Sequence, residues 1–276
     1  MNQAFLRKLH KILIEIIMWV ISLVVLIPLL IVLFGSLKSA PEAAHFNIIP
    51  PLEWHFENYI HVIKTGGLIN AAKNSILITF FSIALIILVS VMCSFIIARR
   101  TGRYSSIIYN IFLMGMIAPM QLITTFGLLK VLNLMGTYSG VILIFSATQI
   151  PWAVFMLTSF MKTIPREMDE AAFIDGAGPI KMVFVIIMPL LKPVIATTIV
   201  ILSMSVWNDL MIPLFFLNSS SKWTMPLTVY NFFGQYFSNW NYVFADLVLT
   251  ALPVVILYLF FQRYVIAGMT AGAVKG

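Results

Sequence analysis

Six apolar runs, each near the length that crosses a bilayer, constrain this chain more than any other feature. They cover residues 12–34, 75–98, 107–129, 139–160, 188–212 and 246–266. A hydrocarbon core of about 30 Å takes about 20 helical residues at 1.5 Å each. Backbone groups find no water there, so a run of this kind must satisfy its own hydrogen bonds as a helix. The expected fold class is therefore all-α integral membrane, with six transmembrane helices. Composition agrees: 61% of the 276 residues are hydrophobic and 10% are charged, with a mean hydropathy of +1.01. Soluble domains carry roughly 25% charged residues. With no room for a separate soluble domain, residues 1–276 read as a single membrane domain. The first run is too long for the 7–15-residue core of a secretory signal and lacks a small-x-small site at its end, so it reads as an uncleaved helix.

The net charge of +7 is dispersed between the apolar runs rather than gathered into a patch, which argues against nucleic acid as a partner. Its placement reports orientation instead, because cytoplasmic loops collect Lys and Arg. Arg7, Lys8, Lys11, Arg99, Arg100, Arg103, Lys162, Arg166, Lys181, Lys192, Arg263 and Lys275 fall on one side. Only Lys38, Lys64, Lys73, Lys130 and Lys222 fall on the other. Twelve against five predicts both termini in the cytoplasm. The long connections at 35–74 and 218–245 then lie outside and are rich in aromatics, Pro, Asn and Gly. The lone Cys93 excludes an intrachain disulfide and reads as a small packed hydrophobe.

The cytoplasmic stretch from Thr163 to Gly178 is predicted to be a short helix with a stop. Pro165 suits its first turn, Glu167, Asp169 and Glu170 complement its positive end, and Gly176 or Gly178 ends it. Ala171 and Ala172 offer a small face for close approach by another protein. Charge alone would favour a merely solvated loop, but Glu170-Ala171-Ala172, Gly176, and then Ile186-Ile187-Met188-Pro189 form a long-range pattern. It resembles the signature of the inner-membrane permeases of ABC importers: Glu-Ala-Ala, three residues, Gly, nine residues, Ile-x-Leu-Pro. Met188 replaces Leu, a volume-conserving change. Asp175-Gly176-Ala177 and the terminal run from Gly268 to Gly276 are similar to the maltose-type carbohydrate branch, and the six spans resemble its smaller permease.

That resemblance implies a type I ABC importer permease fold, with a peripheral first helix at about 12–34, a five-helix core at about 75–266, a coupling loop at about 161–187 and a cytoplasmic tail at 267–276. It implies a pore-forming subunit of an ATP-driven, binding-protein-dependent importer in the bacterial plasma (inner) membrane, carrying a di- or oligosaccharide. The implied partners are a second permease subunit, two cytoplasmic ATPase subunits, an extracytoplasmic solute-binding protein, the sugar substrate and the lipid bilayer. ATP and Mg would sit on the ATPases, with no cofactor on this chain. By resemblance, Glu170, Ala171, Ala172, Asp175, Gly176 and Pro189 couple the pore to the ATPases. The tail residues Thr270, Gly272 and Lys275 reach the ATPase dimer, and 219–241 touches the binding protein. Shifting a two-state equilibrium from 1:99 to 99:1 takes about 5.5 kcal/mol, whereas one exposed ion pair supplies about 0–1 kcal/mol. Glu170 is therefore expected to position a rigid connector rather than to power it.

Polar residues inside the spans are candidate solute or pore contacts, because hydrocarbon penalises them elsewhere. Gln121, Thr124 and Thr125 follow Pro119 and suit neutral hydroxyls, or equally interhelical hydrogen bonds. Asn208 and Asp209 read either as pore contacts or as a helix terminus. Trp152, Tyr230 and Trp240 suit sugar stacking or an interfacial belt. His45, His55 and His61 fit no metal-ligand spacing. The chain has no phosphate-binding Gly-x-x-x-x-Gly-Lys loop, His-Glu-x-x-His site or Gly-x-Ser-x-Gly turn, so no catalytic residue is assigned. The alternatives are a permease for a glycerophosphate or other small polar solute, or a gradient-driven secondary transporter. The latter normally buries several ionisable groups, and here only Glu15, Asp209 and Asp246 qualify.

Overall fold

The computed structural model describes residues 3–100, 102–234 and 239–273, with side chains described within 10–262 of those ranges. In chain order the described α-helices of six residues or more begin with α1 (Gln3–Gly35), α2 (Glu57–Thr65), α3 (Leu68–Arg99), α4 (Arg103–Ile117), α5 (Leu122–Val131) and α6 (Tyr138–Met161). They continue with α7 (Glu167–Ile174), α8 (Pro179–Leu190), α9 (Lys192–Asn208), α10 (Met211–Phe216) and α11 (Trp240–Ala273). Among the described residues, four are long and apolar enough to cross a membrane singly: α1, α3, α6 and α11. Two further helix pairs pass only when taken together, α4 with α5 bent by 113° and α8 with α9 bent by 83°, which makes up to six crossings among the described residues.

Both bends fall at prolines, where a helix kinks or stops. Ala118 precedes Pro119, which bars it from the helical region, and it adopts φ −67°, ψ 121°. In the second pair the chain turns at Leu191 (φ −87°, ψ 0°), between Pro189 and Pro193, neither of which can donate a backbone hydrogen bond. Residues Met182–Ile187 wind as a π-helical turn just before Pro189, a wider register of the kind that recurs at functional sites. The fifth span also ends earlier than expected, at Asn208. The last helix runs further, from Trp240 to Ala273, so Thr270 and Gly272 of the expected tail are helical. Lys275 lies outside the described residues, as do 235–238 of the expected binding-protein loop.

The chain divides into two compact units. The first joins Met1–Leu68 to Thr228–Leu252. Asn58 is its hub: its amide donates to the carbonyls of Ser36 (3.0 Å) and Lys38 (2.9 Å) and accepts from Asn241 (3.0 Å). Gly35 lies so close to the Phe244 ring that a Cβ there would come within 2.3 Å of it. His55 pairs with Glu57, and His61 stacks on Tyr242 with 4.3 Å between ring centres. Asp246, 1% exposed, accepts from the Thr228 hydroxyl at 2.8 Å. From His10 to Leu29 every residue of α1 is exposed.

The second unit, Ile69–Leu227 with Pro253–Gly276, carries the core. One cluster joins Ile86 and Val91 of α3, Leu157 and Met161 of α6, Ala172 of α7 and Ile187 of α8. A second joins Ile78 of α3, Val141 and Phe145 of α6, and Phe216 of α10. Helix α6 starts at Thr137, whose hydroxyl accepts the Gly140 N–H at 3.0 Å, a side-chain cap.

Candidate functional site

The candidate site is α7 and the turn that follows it. Its N-terminal turn carries Glu167, Asp169 and Glu170, acids placed against the positive end of the helix dipole. Its C-terminus is a Schellman closure: the Gly176 N–H donates to Phe173 O and the Ala177 N–H to Ala172 O, both at 3.0 Å. Gly176 sits at φ +76° with open space around it, so the requirement there is backbone conformation, not lack of room. Asp175 is the exposed C-cap, and Gly178 instead opens α8, in extended conformation at φ −70°, ψ 167°.

Helical spacing sorts the side chains onto two faces. Glu170, Phe173 and Ile174 point outward, with Phe173 74% and Ile174 83% exposed, and Ala171 is exposed beside them. Asp169 and Ala172 face inward. The two alanines therefore part company: Ala171 is open to a partner, while Ala172 is buried in this chain's own core against neighbours that include Ala177 and Met182. Pro189 is exposed on α8, at the far end of the π-helical turn.

A contact that the sequence reading did not find fixes α7 in place. Arg99, the last residue of α3, brings Nε to 2.5 Å from Asp169 Oδ2, and its Nη2 donates to Oδ1 at 3.2 Å. Its Nη1 also donates to the carbonyls of Ile164 (2.9 Å) and Met161 (3.4 Å). Both side chains are largely enclosed, at 12% and 15% exposure. One guanidinium thus gathers the ends of α3 and α6 and the start of α7. The sequence offered each residue only a generic role, Arg99 as an orientation charge and Asp169 as a dipole charge.

The candidate solute contacts are dispersed. Gln121 is the exposed N-cap of α5, and Thr124 donates its hydroxyl back to Gln121 O at 3.1 Å. Thr125 is half-buried in the same helix. Asn208 is exposed at the end of α9. Asp209 Oδ1 accepts the Ile212 N–H at 2.7 Å, at the turn into α10. Midway along α6, Gln149 donates to Ser205 of α9 at 3.1 Å, a polar pair the sequence reading passed over. Trp152, half-buried, packs against the first core cluster. No group of three metal-ligating side chains occurs among the described residues.

The family described as binding-protein-dependent transport system inner membrane component matches residues 86–271, which include the whole of α7 and α8. The chain is 34% identical over 260 residues to the multiple sugar-binding transport system permease protein of Streptococcus mutans, covering 92% of this chain and 93% of that one. It is 34% identical to the melibiose/raffinose/stachyose import permease protein of Bacillus subtilis, with 91% of each chain covered. Among solved structures, a chain of a bacterial ABC transporter involved in the import of the acidic polysaccharide alginate superposes with a TM-score of 0.81. It covers 96% of this chain and 98% of that one at 21% identity, a likeness of fold.

Proposed function

Because the chain belongs to the family of binding-protein-dependent transport system inner membrane components, we propose that it is the pore-forming permease subunit of an ATP-driven importer of a di- or oligosaccharide. The observation that carries the reading is the family match across the signature from Glu170 to Pro189. Relatives named for oligosaccharide uptake support the solute class. In this reading α7 faces the cytoplasm and docks on a separate ATPase subunit through Glu170, Ala171, Phe173 and Ile174. ATP and its Mg ion stay on that subunit. A second permease completes the pore, a solute-binding protein delivers the sugar to the opposite side, and both termini of this chain are cytoplasmic. The chain performs no chemistry of its own.

The mechanism follows from stiffness. A docked interface that changes as a unit supplies the several kcal/mol needed to switch the pore, which no single exposed ion pair does. The Schellman closure and the Arg99 clamp hold α7 in one pose, so that movement of the ATPase becomes movement of the spans. The test is ATP-dependent uptake of a panel of oligosaccharides by the reconstituted complex, comparing wild type with Glu170→Ala and Gly176→Pro after confirming membrane insertion. Inserted but transport-dead variants are expected. Normal ATP-driven uptake in both would remove α7 from the coupling role, and uptake that survives without the ATPase would overturn the importer reading.

A further inference from the structure

Helix α3 differs from the other spanning helices in one respect: from Leu68 to Arg99 it contains neither proline nor glycine. Helices α1, α6 and α11 each carry an internal proline, and the other two spans are broken. Sharp kinks arise almost always at proline, glycine or an interrupted ladder, so α3 is the stiff member. At 1.5 Å per residue its 32 residues run about 48 Å, enough to cross a bilayer with its headgroup regions.

Both ends of this rod are tied by side chains. At one end Arg99 forks onto Asp169 of α7 and binds the carbonyls of Met161 and Ile164. At the other, Asn70 donates to Ser221 O (2.6 Å), and Asn74 donates to Ser221 O (3.0 Å) and Trp223 O (2.9 Å) while accepting from the Tyr138 hydroxyl (2.9 Å). Ser75 Oγ accepts the Met225 N–H at 2.8 Å. Asn74, at 6% exposure, spends its donors and its acceptor on the 221–225 segment and α6. Between the ends, the α3 side chains Ile78, Ile86 and Val91 lie at no more than 1% exposure, so the rod is gripped along its length.

We propose that α3 is a transmembrane strut which locks the position of α7 to that of the 221–225 segment, with Arg99, Asp169 and Asn74 as its positioning residues. The inference rests on the importer reading, in which α7 meets the ATPase and 221–225 lies on the side of the binding protein. Under it, arrival of the loaded binding protein on one side is felt at the ATPase contact on the other because the two contacts share one stiff body. Arg99→Lys keeps the charge but loses the planar fork, and Asn74→Ala removes the opposite tie.

The test uses the reconstituted complex of this chain with its partner permease, ATPases and binding protein. It reads solute imported per ATP hydrolysed and the stimulation of ATP hydrolysis by loaded binding protein. Each of Arg99→Lys, Asp169→Asn and Asn74→Ala is expected to lower both readouts about tenfold in equal amounts of assembled complex. The double variant Arg99→Lys/Asn74→Ala should be no worse than either single change, because a strut released at one end is already released. Wild-type ratios in the single variants, or losses that multiply in the double, would overturn the strut. A second measurement needs neither variant: spin labels at Asp175→Cys and Ser220→Cys, in a Cys93→Ser background, report the distance between the two ends. The strut predicts the same distance in resting and ATP-trapped complexes, and a change of about 5 Å, one helical turn, would overturn it. Absence of ATP-driven uptake by the wild-type complex would instead defeat the importer reading, and this inference with it.

Discussion

Gly176 shows how far a single residue can be read from sequence. Its place after an acidic short helix marks it as a stop, and its φ of +76° explains why an L-residue is disfavoured there. Left-handed backbone costs a residue with a Cβ roughly 1–2 kcal/mol, and the space around Gly176 is open, so conformation is the whole of the penalty. Stability and uptake should therefore rank Gly176, then Gly176→Asn, then Gly176→Ala, since Asn tolerates the left-handed region better. Thermal unfolding of the purified chain beside uptake in vesicles checks the order, and an alanine variant equal to wild type in both would contradict it. Arg99 and Asp169 mark the opposite limit. They lie 70 positions apart, and neither has a local pattern that announces the other, because a contact at that separation is made by the packing of three helices. Ala172 belongs with them: adjacent to Ala171 in sequence, it is turned by one helical step into the core.

At the scale of elements, lengths were legible and angles were not. Hydropathy located the middle of each span but placed some ends up to nine residues off, as with Pro179 against the expected 188, since the bilayer sets a length that composition must match. Pro119, Pro189 and Pro193 marked where helices fail, but not that one pair bends by 113° and the other by 83°. Proline removes a hydrogen bond and a range of φ, while the direction taken afterward is settled by what the next segment packs against. In α7, the outward Phe173 and Ile174 are a surface in search of cover. Burying such a side chain is worth about 1.5–3 kcal/mol, so Phe173→Ser with Ile174→Ser should reduce co-purifying ATPase by at least about tenfold. Membrane insertion should be unaffected, because neither side chain belongs to the core clusters. Undiminished ATPase recovery would count against α7 as the docking element.

For the molecule as a whole, the charge bias predicts a sidedness that labelling can test. With Cys93, itself half-buried, replaced by serine, a cysteine at Asp175 should react with an impermeant reagent only from the cytoplasmic side. One at Ser220 should react only from the other side. Reaction of both from one side would refute the arrangement. The bare apolar surface of α1 reflects the same solvent, since a helix hydrophobic all round needs lipid or a partner helix rather than its own core. What the sequence determined by itself was the solvent, the number of crossings, the charge asymmetry and the signature that names the family. Each of these is a property of composition or local spacing and survives without knowing any contact. The tertiary structure alone decided the two compact units, the sharp bends, the inward turn of Ala172 and the clamps at both ends of α3. Those depend on which side chains meet across 60 to 150 positions of chain, and only packing brings such residues together.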